Sequence, residues 1–231
     1  KWLNQNNVKA FKIGSGECNN LPLVKYICSF KKPIILSTGM NTIKSVTKTV
    51  NLIKKFRNSL AILHCVNLYP TSDKLTRINR FIELKKKFPN FNIGYSDHSI
   101  GTHFAISAMS LGANIIEKHF VIDKKKSGPD VSCSMDKKEL RYLINVSKSL
   151  YKSKQNKSNF LNEENVTRRF AFHSVVAKKN IKKGEILNLN NLTTKRPGTG
   201  DFPASKIHLL INKKTRVNII ENRQIKNKHV F

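Results

Sequence analysis

Short runs of branched apolar residues alternate with helix-like segments over residues 8–150, and this alternation constrains the fold more than any other feature. The apolar runs predict strands at Val8–Ile13, Ile34–Ser37, Leu60–Cys65, Asn92–Ser96 and Asn114–Phe120. Apolar residues at helical spacing predict helices at Thr42–Lys55, Arg77–Lys87 and Thr102–Leu111. Strands that alternate with helices in this way indicate a parallel sheet covered by helices.

Polar residues follow every predicted strand. The strand ends read KIGSGE (12–17), STGM (37–40), HCVNLYP (64–70), YSDH (95–98) and EKH (117–119). Functional groups at the C-terminal ends of consecutive parallel strands are typical of a (β/α)8 barrel, whereas an open doubly wound sheet concentrates them at one switch point. A complete barrel needs about 250 residues. This segment supplies at most five strand–helix units, so we expect a barrel whose first three strands are absent from the chain.

Two histidines stand out among these polar residues. His98 and His119 each lie where an apolar run gives way to polar residues, one strand–helix repeat apart. A single histidine there is more often a core residue with satisfied hydrogen bonds, but a pair on adjacent strand ends favours a metal site.

The charge and the residue composition narrow the classes of protein to which the chain can belong. The net charge is +29 with a pI near 10.2, which is also typical of a nucleic-acid binder. The lysines are scattered in pairs and triplets without interleaved aromatic residues, which favours a solvated surface over a nucleic-acid interface. The cysteines show no C-x-x-C spacing, and no apolar run approaches the ~20 residues of a membrane span. We therefore expect a cytoplasmic protein without a membrane or nucleic-acid partner.

The composition changes after the strand–helix repeats. Residues 151–165 are rich in Lys, Ser, Asn and Gln and are predicted to be a linker between the barrel segment, residues 1–150, and a second domain, residues 166–231. Short apolar runs in this second domain predict small strands. Its Arg196-Pro-Gly-Thr-Gly sequence predicts a rigid turn that carries an anion-binding side chain.

The ordered series KIGSGE, PIILSTGM, ILHCVNLYP, GYSDHSIG, NIIEKHF, SGPD, AKKNIKKGE and KRPGTG resembles the sialic acid synthases, which make N-acetylneuraminate, legionaminate or pseudaminate. The resemblance covers nearly the whole chain. It implies a (β/α)8 barrel followed by a small antifreeze-like (SAF) domain. It also implies condensation of phosphoenolpyruvate with N-acetylmannosamine or a related acylated hexose, giving a nine-carbon keto acid and phosphate.

The same resemblance assigns roles to individual residues. His98 and His119 match ligands of Mn²⁺ or Mg²⁺. Positions that hold phosphoenolpyruvate are matched by Lys12, Ser15, Asn67 and Ser96. Positions near the sugar are matched by Glu17, Tyr69 and Asp130. Arg196 matches an arginine that the small domain extends over the active site of the neighbouring subunit, so the resemblance implies a domain-swapped homodimer.

Alternatives stay open at this point. Glu17 could have the purely structural role of beginning a helix, and Asp130 that of forming a turn. The sequence also leaves open whether Glu117 or Lys118 faces the interior of the barrel. Because the family's N-terminal groups are absent, the chain could be a non-catalytic fragment, and we expect it to be inactive by itself. The acyl-sugar acceptor is not decided by the sequence.

Overall fold

The computed structural model describes residues 1–155 and 158–231, which divide into two compact units at residues 156–157. Two residues of the predicted linker 151–165, positions 156 and 157, lie outside the described residues. The first residues of that segment belong to a helix that ends at Ser153. No helix in the described parts of the chain has both the length and the apolar character needed to cross a bilayer.

The first unit is a parallel sheet with its connecting helices. Its strands are β1 (Phe11–Ile13), β2 (Ile34–Ser37), β3 (Leu60–Cys65), β4 (Asn92–Asp97) and β5 (Ile116–Lys118). Its helices are α1 (Trp2–Gln5), α2 (Leu21–Cys28), α3 (Ile43–Lys55), α4 (Ile78–Lys87), α5 (His103–Ser110) and α6 (Lys137–Ser153). The strands pair in chain order, β1-β2-β3-β4-β5, and every pair is parallel. This arrangement confirms the predicted strand–helix repeat.

The two faces of the sheet carry different chemistry. Ile13, Leu36 and Ile62 on one face pack in a core with the apolar sides of α3 and α4. Because successive side chains alternate between faces, Lys12 on β1 points to the other face. There it contacts Glu117 of β5, with the Lys12 Nζ and Glu117 Oε2 atoms 2.8 Å apart. These side chains come from opposite edges of the sheet, so the sheet curls strongly, as a part of a barrel wall does.

The second unit is built around a short antiparallel pair, β6 (Ser174–Ala177) and β7 (Leu192–Lys195). A helix, α7 (Asn165–Ala171), precedes this pair. Isolated bridges, such as the one between Ile181 and Ile219, join the remaining loops to each other. Val175, Leu187 and Ile225 lie in its apolar core, so this unit has a core of its own.

Several predicted boundaries differ from the structure. The strands at Ile34–Ser37 and Leu60–Cys65 are confirmed, but β1 begins at Phe11 rather than Val8, because the ladder starts where the Phe11 N–H donates to the Pro33 carbonyl. The strand predicted at Asn114–Phe120 spans only Ile116–Lys118, and Phe120 instead bridges Met135. The α2 and α6 helices were not predicted.

Candidate active site

A lysine, a serine and a carboxylate meet on the inner face of the curled sheet. Lys12 Nζ and Ser96 Oγ both donate to Glu117 Oε1, at 2.8 and 2.7 Å. Burial alone would raise the pKa of Glu117, but these hydrogen bonds outweigh burial and hold the pKa below its usual value. Lys12 and Glu117 are each about one-third to two-fifths exposed, so the group is open to a ligand.

Ser15 and Asn67 lie together beside a glycine that follows β2. The Gly39 N–H donates to Ser15 Oγ at 3.0 Å. A Cβ on Gly39 would collide with Asn67 Oδ1 and come within 2.9 Å of Ser15 Oγ. The Cys65 thiol donates to Asn67 Oδ1 at 3.6 Å and also contacts Ser15 and Ser96. Cys65 is buried, which raises the pKa of its thiol, so it fills space here as a neutral side chain.

His98 and His119 follow β4 and β5 directly, and their ring centroids are 5.1 Å apart. The Tyr69 ring lies 4.1 Å from the His98 ring and 5.7 Å from the His119 ring. On the other side, Asp130 Oδ2 is 3.8 Å from His119 Nδ1. The structure thus brings Tyr69 and Asp130 to the two histidines. Asp130 also has a left-handed backbone at φ 67°, so it is a turn residue as well.

The tautomer of His98 follows from its hydrogen bond. Its Nδ1 lies 2.8 Å from the Val66 carbonyl oxygen. Because a carbonyl can only accept, Nδ1 carries the proton and Nε2 keeps a free lone pair. Burial, the largest influence, lowers the pKa of His98, which favours the neutral ring. Metal-ligating histidines typically have this second-atom hydrogen bond to a carbonyl.

A buried ion pair lies on the other face of the same strands. Lys118 Nζ is 3.0 Å from Asp97 Oδ2 and donates to the Ser99 carbonyl at 2.6 Å, and both side chains of the pair are fully buried. The Ser99 N–H and hydroxyl donate to Asp97 Oδ1. Since Asp97 and Lys118 directly precede His98 and His119, this pair joins the strand ends from which the histidines project.

Two predicted site residues make contacts outside the groups described above. Glu17 lies in a 3-10 helix, Ser15–Glu17, where its side chain is exposed and accepts from Asn20 Nδ2 at 2.7 Å. It therefore contacts its own loop rather than the groups around Glu117. Arg196 lies in the second unit, where its Nε donates to the Ala171 carbonyl at 3.0 Å.

The sequence does not show whether Glu117 or Lys118 faces the interior of the barrel, and the structure does. Glu117 faces the interior with Lys12 and Ser96, while Lys118 faces the helices. The sequence pattern shows that these neighbours point to opposite faces, but not which face is the inside. The register decides it, because Ser96 of β4 lies opposite Glu117.

The NeuB family model matches residues 1–159, and a SAF domain model matches residues 172–230. The chain belongs to the NeuB family. It is 41% identical over 207 residues to the N,N'-diacetyllegionaminic acid synthase of Campylobacter jejuni, which covers 86% of this chain and 60% of that protein. It is 30% identical over 226 residues to the human N-acetylneuraminate-9-phosphate synthase, covering 97% of this chain and 63% of the relative.

Solved structures agree with this membership. The N-acetylneuraminic acid synthetase of Leptospira borgpetersenii aligns with a TM-score of 0.67 at 30% identity, over 71% of this chain and 58% of that one. The spore coat polysaccharide biosynthesis protein SpsE of Bacillus subtilis aligns with a TM-score of 0.64 at 29% identity, over 100% of this chain and 70% of that one. The five-stranded sheet is therefore part of a (β/α)8 barrel, and a SAF domain follows it, as predicted. The chain spans about 60% of the length of the curated relatives it matches.

Proposed function

We propose that this NeuB-family chain carries the C-terminal part of a sugar-acid synthase site that condenses phosphoenolpyruvate with an N-acylated hexose such as N-acetylmannosamine. The observation that supports it most is the convergence of two kinds of group at one end of the sheet. The first kind is the Lys12 ammonium with the short hydroxyl and amide side chains around it. The second kind is the histidine pair with the Tyr69 ring beside it. The first set suits a small anion, and the second suits a metal and a sugar.

In this proposal, the phosphoenolpyruvate carboxylate and phosphate are held by Lys12, Ser15, Asn67 and Ser96. Lys12 already binds a carboxylate, that of Glu117, so its ammonium is aimed into the interior of the barrel. Charge-assisted hydrogen bonds to a cation are the strongest way for a side chain to hold such an anion. Glu117 in turn keeps Lys12 and Ser96 oriented when no substrate is bound.

His98 and His119 would hold the Mn²⁺ or Mg²⁺ of the proposal. The residues fit, because His98 Nε2 is free while its Nδ1 is tied to a carbonyl. No group of three or more His, Cys, Asp or Glu ligands occurs in the described part of the chain, so water and substrate would complete the coordination. When bound, the ion supplies Lewis acidity that polarises the sugar aldehyde.

The proposed reaction forms one carbon–carbon bond and breaks one carbon–oxygen bond. C3 of phosphoenolpyruvate attacks the aldehyde carbon, and the aldehyde oxygen takes up a proton to become a hydroxyl. Water adds to C2 and gives up its protons as the bond between C2 and the phosphate oxygen breaks, which leaves a keto acid and inorganic phosphate. Tyr69 and Asp130 lie beside the two histidines and contact the open-chain sugar.

Substitution of the histidines tests this proposal. In protein expressed from the full reading frame, His98→Ala and His119→Ala should each lower Mn²⁺-dependent formation of the nine-carbon acid at least roughly a hundredfold. His103→Ala is the matched control, because His103 is an exposed histidine on α5 that contacts Asp73 and Phe104 and neither of the two site histidines. The acid is measured by mass spectrometry with N-acetylmannosamine and related acceptors. Wild-type product formation that survives in both site variants would contradict the proposal.

A further inference from the structure

A cavity of about 310 Å³ lies between the loop that follows β2 and the start of α4. Side chains that can donate hydrogen bonds or carry charge line much of it: Thr38, Asn41, Thr42, His64, Arg77 and Arg80. It adjoins the candidate active site at Cys65 but uses none of the groups that contact Glu117. Its volume is at the lower end of the range of about 300–1,000 Å³ for small-molecule sites.

The charges around this cavity are mostly positive. Two guanidinium groups line it, and no carboxylate is among its lining residues in the part of the chain that the structure describes. Arg80 Nη1 pairs with Glu83 at 2.7 Å and Nη2 donates to the Asn41 carbonyl at 3.2 Å, so this side chain is held in place. Arg77 forms no ion pair with any described residue. Its charge is therefore available to a ligand.

His64 lines the same cavity as the two arginines. This ring is buried, its Nε2 donates to the Thr76 carbonyl at 2.9 Å, and it stacks on Tyr95. Burial first, and then the charges of Arg77 and Arg80, lower the pKa of His64 to about 4. The lowered pKa of His64 is therefore consistent with a positive cavity, in which Arg77 stays exposed to solvent.

The backbone adds to the positive field. Arg77 precedes the first residue of the ten-residue helix α4 and has a left-handed conformation, φ 51° and ψ 46°, without a side-chain cap. The free N–H groups and the dipole at a helix N-terminus favour an anion. A non-glycine residue rarely has this conformation, because its Cβ crowds the following carbonyl oxygen. The strain thus falls on the residue that brings a guanidinium to the cavity.

We propose that this cavity binds the phosphate group of a small molecule, either as inorganic phosphate or as a phosphate ester. Planar guanidinium groups match phosphate oxygens with paired hydrogen bonds. The Thr42 hydroxyl, whose oxygen accepts from the Ser45 N–H, still has its own hydrogen to donate. This site is separate from the phosphoenolpyruvate site of the proposed function, because it does not include Lys12, Ser15 or Ser96.

Calorimetric titration tests the proposal with the protein expressed from its full reading frame. Lys12→Ala removes the cation of the proposed phosphoenolpyruvate site, so that phosphate binding in this background reports on the cavity. Adding Arg77→Asn removes the guanidinium and keeps a residue that tolerates left-handed backbone. Arg57→Asn is the matched control, since Arg57 also has a left-handed backbone, φ 59°, and lies outside the cavity.

We expect inorganic phosphate to bind the Lys12→Ala protein, and Arg77→Asn to weaken this binding at least roughly tenfold. Arg57→Asn should change it less than about twofold, as an exposed charge remote from the ligand does. Glycerol 3-phosphate, a phosphate ester that carries no acylated sugar, is titrated in parallel. Tighter binding of this ester that Arg77→Asn weakens identifies the ligand as a phosphate ester, and tighter binding of inorganic phosphate identifies the free ion.

A second readout does not depend on Lys12. In wild-type protein, the ring resonances of His64 should move on titration with phosphate, and Arg77→Asn should abolish the movement. Equal weakening by Arg77→Asn and Arg57→Asn would mean that only net charge matters and would overturn the site. No phosphate binding in the Lys12→Ala protein, together with unmoved His64 resonances, would overturn it as well. Either result leaves the synthase proposal intact.

Discussion

At the scale of single residues, Gly39 sets the spacing of two polar side chains in the candidate site. Its missing Cβ leaves room for Asn67 Oδ1, while its N–H fixes Ser15 Oγ. Gly39→Ala should therefore displace both side chains and lower kcat/KM for phosphoenolpyruvate roughly tenfold to a hundredfold. Gly16→Ala is the control, because a Cβ there has no heavy atom within 4 Å. Steady-state kinetics that are equal for the two variants would contradict this role of Gly39.

His64 makes stability depend on pH. Its pKa of about 4 in the folded chain lies below the ordinary value of 6.5, so the unfolded chain takes up a proton first as the pH falls. The free energy of unfolding should thus fall by up to about 3 kcal/mol as the pH falls from 6.5 to 4. Urea unfolding at several pH values measures this loss in phosphate-free buffer. His64→Gln should reduce the loss and the exposed His103→Gln should not; equal slopes in both would refute the assignment.

The sequence predicts site residues that lie next to short apolar runs. It does not predict which face of a strand is enclosed by the barrel. Lys12, Ser96 and the two histidines could be predicted because each follows or interrupts a short apolar run. Glu117 could not be placed, since alternation along a strand does not say which face is enclosed. The resemblance assigns Glu17 a place near the sugar; its carboxylate accepts from Asn20 of the same loop, and the assignment stays a prediction.

At the scale of elements, the Asp97–Lys118 pair joins the ends of β4 and β5. Both side chains are fully buried, so removing one leaves the other charge without a partner. Lys118→Met should lower the free energy of unfolding by about 3–5 kcal/mol. Lys124→Met breaks the partly exposed pair with Glu139 and should cost about 1 kcal/mol or less. Chemical denaturation measures the free energy of unfolding of both variants. Similar decreases in the two would mean that the buried pair does not stabilise the strand ends.

The helices that sequence reasoning missed had signals of their own. In α6 the Asp136 carboxylate accepts from the Lys138 and Glu139 N–H groups, and Glu139 reaches back to the Asp136 N–H. This capping box is visible in the sequence as Asp-Lys-Lys-Glu before an apolar periodic run. Strand ends were harder to predict. The pairing of β1 starts only where Pro33 offers a carbonyl to Phe11, a contact between residues far apart in the chain.

The whole molecule combines a barrel segment with a SAF domain. The resemblance assigns Arg196 of the SAF domain to the neighbouring subunit, and that assignment stays a prediction. Mixing inactive His98→Ala and Arg196→Ala proteins should then restore activity, because one site of a mixed dimer bears neither change. Mixing His98→Ala with His119→Ala is the control and should restore none, since both changes lie in the barrel segment. No recovery after proven subunit exchange would mean that Arg196 acts within its own subunit or does not act on the site at all.

In the proposed reaction, this site joins phosphoenolpyruvate to an acylated hexose and breaks the bond between C2 and the bridging oxygen. Phosphoenolpyruvate labelled with ¹⁸O at that oxygen tests it directly, with ³¹P NMR to follow the label in the released phosphate. We expect phosphate to appear only when the acyl-sugar is present and to retain the bridging ¹⁸O. Phosphate released without the sugar, or phosphate that has lost the label to the organic product, would contradict it.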